Sequence, residues 1–287
     1  MYSTLIVPLD GSAFAERAIG LAVFLSRRGH AALLLARVHE GGTKPGSQTP
    51  AWEEFFRDEE EAYLEAVAAR IQSEFSGTVD WTLLDGSVVA AICARVDAAP
   101  SPFVVMSTHG RTGIRRVWMG SVASGLLRHS SAPVLMLRPQ GGGETKVTDG
   151  ASASGPFANV IVALDGSTFA EQVIPHAASI ATASNARLLF IRVVDPAAPS
   201  DAASRRAVTY MENIASLVDY EGSMSDARIE AHASPGAAIL ECAAALERPL
   251  IAMASHGRGL SRLFLGSVAD EVVRGSPRAV LMVRPRT

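Results

Sequence analysis

Apolar and polar positions along this chain fall into two periods that take turns. TLIVPL at 4–9, AALLLARV at 31–38 and PFVVMS at 102–107 are short apolar runs with no regular polar face. Runs of that kind fit strands covered on both sides. Between them the spacing becomes helical. Asp10-Gly11-Ser12 ends the first run and caps AFAERAIGLAVFLSRRG, a helix that Gly29 closes. An amphipathic stretch over 52–75 brings Phe56, Tyr63, Val67, Ile71 and Phe75 near one face. TVDWTLLDG at 78–86 is a third strand and SVVAAICARVDAA a helix. A glycine-bearing loop after the fourth strand leads to a helix from Ser121 to His129, and PVLMLR at 133–138 is a fifth strand.

The whole pattern then recurs. LIVPLDGSAFAERAI at 5–19 matches VIVALDGSTFAEQVI at 160–174, and APVLMLRP at 132–139 matches RAVLMVRP at 278–285. Asp10 to Asp165 and Val38 to Val193 are both separated by 155 residues. Ile92 to Ile239 and Gly110 to Gly257 are separated by 147, and Gly120 to Gly266 by 146. The second copy is thus shorter in its middle and by one residue before the later glycine. Between the copies lies QGGGETKVTDGASASGP, poor in apolar residues, which reads as a flexible linker. The expected domains are 1–139 and 157–287, joined by a linker at 140–156. Strands alternating with helices imply parallel strands and right-handed crossovers. The expected fold class is therefore α/β: two doubly wound, Rossmann-like domains, each a five-stranded parallel sheet with helices on both faces.

Composition narrows the function classes. The chain has 287 residues, 48% of them hydrophobic, and a net charge of −3. That balance supplies no basic field for nucleic acid. No apolar run reaches the roughly 18 residues of a membrane helix, and the N-terminus reads as a first strand, not a signal peptide. Two cysteines, Cys93 and Cys242, build neither a disulfide framework nor a four-ligand zinc site, so a reducing, cytoplasmic setting is expected. A Walker-type phosphate loop, a Gly-x-Ser-x-Gly elbow, a His-Glu-x2-His helix and a Gly-x-Gly-x2-Gly turn are all missing from the sequence.

In a doubly wound sheet, ligands bind beyond the carboxyl ends of the strands, where the strand order reverses. Two loops should meet there: the one after strand 1, with Asp10 or Asp165, and the one after strand 4. The latter carries Gly110, Gly113, Gly120 and Ser121 in the first copy, and Gly257, Gly266 and Ser267 in the second. A Gly-Ser pair opening a helix lets backbone N–H groups approach an anion, and the serine adds a hydroxyl donor. The plainer alternative is that the serines merely cap their helices. His109 and His256 occupy matched positions and either meet phosphate or bond their own backbone. Arg111 and Arg258 either clamp phosphate or lie on a solvated face.

The motifs make a family resemblance specific. Ser107-Thr-His-Gly110, nine residues, then Gly120-Ser121 is similar to the Gly-x2-Gly-x9-Gly-Ser/Thr motif of nucleotide-binding universal stress proteins. Ala254-Ser-His-Gly257, eight residues, then Gly266-Ser267 repeats it with a shorter spacer. Both copies depart from the motif at its first glycine. The chain resembles a tandem universal stress protein over nearly all of both copies. The resemblance implies ATP, with Mg²⁺ as its counter-ion. It puts phosphates on Gly110, Gly120 and Ser121, and on Gly257, Gly266 and Ser267. Asp10 and Asp165 match the acidic residue that holds adenine or ribose, and Val38 and Val193 match the position that meets adenine. Helix capping and core packing are the alternatives for these two pairs. The role implied is a nucleotide-dependent stress regulator; a slow ATP hydrolase and a nucleotide-free protective module stay open. The resemblance also implies an antiparallel pairing of strand 5, here within one chain as a pseudo-dimer, and leaves open a homodimer of two chains.

Overall fold

The computed structural model describes residues 2–41, 50–108, 119–138, 155–197, 201–219, 225–256 and 265–285. The chain divides into two compact units, Met1–Gly150 and Ala151–Thr287. Unit one runs β1 (Thr4–Pro8), α1 (Ala13–Gly29), β2 (Ala32–His39), α2 (Pro50–Gln72), β3 (Val79–Asp85), α3 (Val88–Asp97), β4 (Pro102–Ser107), α4 (Ser121–His129) and β5 (Val134–Leu137). Its strands lie in the order β3-β2-β1-β4-β5, and every pair is parallel. Unit two runs β6 (Asn159–Ala163), α5 (Thr168–Glu171), α6 (Ile174–Ser184), β7 (Arg187–Val194), α7 (Asp201–Asp219), β8 (Ser225–Ala231), α8 (Pro235–Ala244), β9 (Pro249–Ala254), α9 (Ser267–Gly275) and β10 (Ala279–Val283). Its order, β8-β7-β6-β9-β10, is the same pattern, again parallel.

The apolar runs become the inner strands. Ile6, Val7, Leu33, Leu35, Val104 and Val105 are fully buried, as are Val160, Ile161, Phe190 and Ile251 in unit two. Burial from both sides follows from the crossovers. In unit one, α1 and α2 cover one face and touch each other, Tyr63 donating to Glu16 at 3.0 Å. Helices α3 and α4 pack together on the other face. The chain leaves β1 toward β2 and β3, then crosses back to β4 on the far side of β1. That reversal opens a crevice at the carboxyl ends of β1 and β4, and of β6 and β9.

Three details depart from the expected pattern, each for a local reason. The first helix of unit two is split into α5 and α6. Pro175 stands where unit one has Gly20, so it offers no N–H to the Glu171 carbonyl and crowds it. Gln172 and Val173 instead donate to the carbonyls three residues back, at 3.3 and 3.2 Å. Gly29 ends α1, but the left-handed residue is His30, at φ 52°; Asn185 plays the same part at φ 51°. Helix α2 stops at Gln72 rather than 75, where the Ser73 hydroxyl donates to the Arg70 carbonyl at 2.7 Å. Phe75 is buried all the same, 5.7 Å beneath the Arg27 guanidinium. The expected linker lies outside the described residues as far as 154. Gly155 is buried, and its carbonyl accepts from Arg248 at 2.5 Å.

Phe190 sits in β7, between β6 and β8, with no exposed surface. Phe190→Ala is expected to destabilise unit two by about 3–5 kcal/mol, read as a lowered urea midpoint. A midpoint within experimental error of the parent contradicts that packing.

Candidate functional site

Each site begins where the first strand turns into the first helix. In unit one, Asp10 Oδ1 accepts from the Ser12 N–H at 2.9 Å and from the Ser12 hydroxyl at 2.6 Å. Ser12 Oγ in turn accepts from the Ala15 N–H at 3.2 Å, so serine is the helix cap. Unit two repeats the arrangement: Asp165 holds Ser167 at 2.9 and 2.5 Å, and Ser167 caps Ala170 at 3.2 Å. The aspartates therefore hold the capping serine rather than cap the helix themselves. The turn requires glycine, because Gly11 and Gly166 both have φ +83°.

Beneath that turn lies an arginine that the sequence motifs did not single out. A Cβ on Gly11 would come within 2.7 Å of Arg37 Nη1, and one on Gly166 within 3.0 Å of Arg192. Arg37 donates to Glu60 at 2.9 Å and lies 5.2 Å over the Tyr63 ring. Arg192 lies 5.0 Å over Tyr210. Burial, then the neighbouring charge and hydrogen bond of Glu16, push the Tyr63 hydroxyl well above its ordinary pKa. Burial and Glu171 do the same for Tyr210. The signal was in the repeat: Arg37 and Arg192 are separated by 155 residues, as Asp10 and Asp165 are.

The second loop returns to the strand it left. The Gly120 N–H donates to the Thr108 carbonyl at 3.0 Å, and the Gly266 N–H to the Ser255 carbonyl at 2.9 Å. The N-caps of α4 and α9 are these glycines, and neither helix end receives a side-chain cap. Ser121 and Ser267 are the first helical residues and are exposed, so the simple capping alternative fails. Ser267 lines the cavity described below, and the first-turn N–H groups of such a helix have no intrahelical partner. His256 Nδ1 shares a hydrogen bond of 3.0 Å with the Ser255 hydroxyl. His109, Gly110, Arg111, Gly113, Gly257 and Arg258 lie outside the described residues.

In unit two these parts enclose a cavity of about 400 Å³. It brings together Asp165, Val193, Ala254, His256, Gly266 and Ser267. Its size falls in the range of small-molecule sites. The remaining wall is apolar: Ile191, Pro235, Ile239, Met253 and Leu265. The sequence motifs did not single these out, because periodicity does not separate a core residue from a cavity wall. In unit one, Asp10, Val38, Ser107, Gly120 and Ser121 stand at the matched places. The strand registers agree, Pro8 opposite Ala36 and Ala163 opposite Ile191. The unit-two site thus offers an apolar slot on one side, a carboxylate at its rim, and a glycine-led helix N-terminus on the other; unit one places a carboxylate and a glycine-led helix N-terminus at the matched positions. Among the described residues, no group of three or more His, Cys, Asp or Glu is placed to hold a metal ion. No helix there is long and apolar enough to cross a membrane.

The fold defines a class: a tandem, doubly wound α/β protein whose strand order reverses once in each unit. The model of the universal stress protein family matches residues 1–138 and 156–284, and the chain belongs to that family. A universal stress protein of Mycolicibacterium smegmatis is 26% identical over 201 residues, 67% of this chain and 65% of that protein. One from Thermus aquaticus is 30% identical over 136 residues, 45% of this chain and 99% of that protein. The crystal structure of a universal stress protein from Archaeoglobus fulgidus shares the fold with a TM-score of 0.74 at 21% identity. That match covers 98% of this chain and 96% of the other.

His39 adds a feature confined to unit one, since Val194 stands at its place in unit two. Its Nδ1 lies 2.7 Å from Glu60 and its Nε2 3.1 Å from Glu53. Burial alone pushes its pKa down, but the hydrogen bonds and charges of Glu60 and Glu53 outweigh that and raise it. A raised value means the fold favours the imidazolium. Its stabilisation is complete below about pH 6.5 and is lost as pH rises through the folded value. His39→Gln is expected to flatten that part of the pH dependence of the urea midpoint; an unchanged profile contradicts the pairing. At the turn, Gly166→Val is expected to cost about 1–3 kcal/mol, read by thermal unfolding, because valine is strained at this φ and its Cβ meets Arg192.

Proposed function

We propose that this chain binds adenine nucleotides, ATP foremost, in the cleft of each unit and acts as a nucleotide-dependent regulator in the stress response. The observation that carries the reading is the unit-two cavity, which gathers a carboxylate, an apolar slot and a helix N-terminus around one space. Val193, Ile191 and Pro235 sandwich a flat purine. Asp165 accepts from the ribose hydroxyls or the purine amino group. Gly266 brings main-chain N–H groups close to phosphate, Ser267 adds its hydroxyl, and the α9 dipole favours the negative charge. In unit one, Asp10, Val38, Gly120 and Ser121 take the same parts. Magnesium accompanies the triphosphate and keeps mostly water and phosphate oxygens as ligands, so the cleft needs no dedicated cage. Regulation follows if nucleotide shifts the population of loop arrangements that partner proteins distinguish.

Calorimetric titration with ATP is expected to show binding that Gly266→Glu removes from unit two, by placing a carboxylate where phosphate sits. Gly120→Glu does the same in unit one. Heats that both variants leave unaltered assign the nucleotide elsewhere, and no heat with the parent protein supports the nucleotide-free protective role instead. Phosphate release over hours distinguishes a hydrolase from a pure binder.

A further inference from the structure

The last residues of β4 and β9 differ in polarity at the clefts. Ser107 ends β4 opposite Leu137, just as Ala254 ends β9 opposite Val283. Ala254 lines the unit-two cavity. Ser107 therefore faces the same space in unit one, next to the residue whose carbonyl receives the Gly120 N–H. It is only 7% exposed, and its Oγ is buried with no hydrogen-bond partner among the described residues. A buried hydroxyl left unbonded is unfavourable, and native interiors rarely keep one without a use. The fold does not demand it, because alanine fills the matched position in unit two with the same strand register. Elsewhere in unit one the buried Ser130 Oγ donates to the Ala132 carbonyl at 3.2 Å, while in unit two Ser184 Oγ is likewise buried without a partner among the described residues, away from the cavity lining.

We propose that the Ser107 hydroxyl is a ligand-binding donor for a phosphate oxygen, which makes the unit-one cleft the tighter site for phosphorylated nucleotides. The inference rests on the nucleotide-binding reading above and adds to it a difference between the two sites. A donor at this depth meets a charged acceptor away from bulk water, where such a bond is short and strong. It gives unit one a dependence on the phosphate group that unit two lacks.

The test uses the full chain with Gly266→Glu, so that calorimetry reads unit one alone, and titrates ATP and adenosine separately. Ser107→Ala is expected to weaken ATP about tenfold, the loss of one charge-assisted hydrogen bond. It should leave adenosine within twofold, and Ser107→Thr should retain ATP affinity. In the complementary Gly120→Glu background, Ala254→Ser is expected to tighten ATP at unit two. Native mass spectrometry without either blocking substitution gives a second readout: the parent should lose one of two bound nucleotides first on dilution, and Ser107→Ala should bring the two losses together. ATP affinity that Ser107→Ala leaves unchanged or improves overturns the assignment while the nucleotide reading stands. Equal weakening of ATP and adenosine also overturns it, since it marks a packing defect. If neither background binds any adenine nucleotide, the nucleotide reading falls and the Ser107 assignment with it.

Discussion

The site depends on how a buried parallel strand is turned into a helix without blocking its own carboxyl end. In each unit the solution is one aspartate oxygen holding a serine that caps the helix. A glycine at φ +83° makes room above an arginine laid on a tyrosine ring. The glycine is needed twice, for its backbone angle and for the space a side chain would take from the arginine. The arginine is mostly buried in unit one, with its charge answered by Glu60 at 2.9 Å. Truncating it would leave Glu60 with His39 alone as its partner, at 2.7 Å.

Most of the architecture was legible in the sequence because it rests on period and repeat. Runs without a polar face could be placed only inside a doubly covered sheet, and the strands at 32–39, 79–85 and 102–107 fall within a residue or so of the expected bounds. The split of the first helix in unit two was equally available from Pro175, but the second copy was read from its repeat of the first. Asp10, Gly120 and Ser121 were legible as candidates because strand-end position and glycine spacing carry a stated chemistry; Val38 became one only through the family resemblance. The walls of the cleft were not. Pro235, Ile239 and Met253 look like ordinary core residues until the cavity is seen. Arg37 was hidden for the opposite reason: it interrupts an apolar run, and only its pairing with Arg192 at the common spacing marks it as structural.

Duplication lets the two copies diverge at the site while the scaffold stays constant. The turn, the arginine and the tyrosine are kept in both units. What changes lies at the cleft: Ser107 against Ala254, Ala36 against Ile191, and a spacer one residue shorter in the second copy. His39, paired with two glutamates beside Val38, has no counterpart in unit two. A chain with two identical sites would respond to nucleotide over one concentration range. Under the nucleotide-binding proposal, two sites differing in donor count and floor size would respond over two.

The central claim is that adenine nucleotide occupies the switch-point clefts. It is tested most directly by a crystal structure of the full chain grown with a slowly hydrolysed ATP analogue. The account predicts density with the purine against Val193 in unit two and against Val38 in unit one, and with phosphates at Gly266-Ser267 and Gly120-Ser121. Clefts closed by side chains at saturating analogue, or nucleotide bound at any other surface, would contradict it.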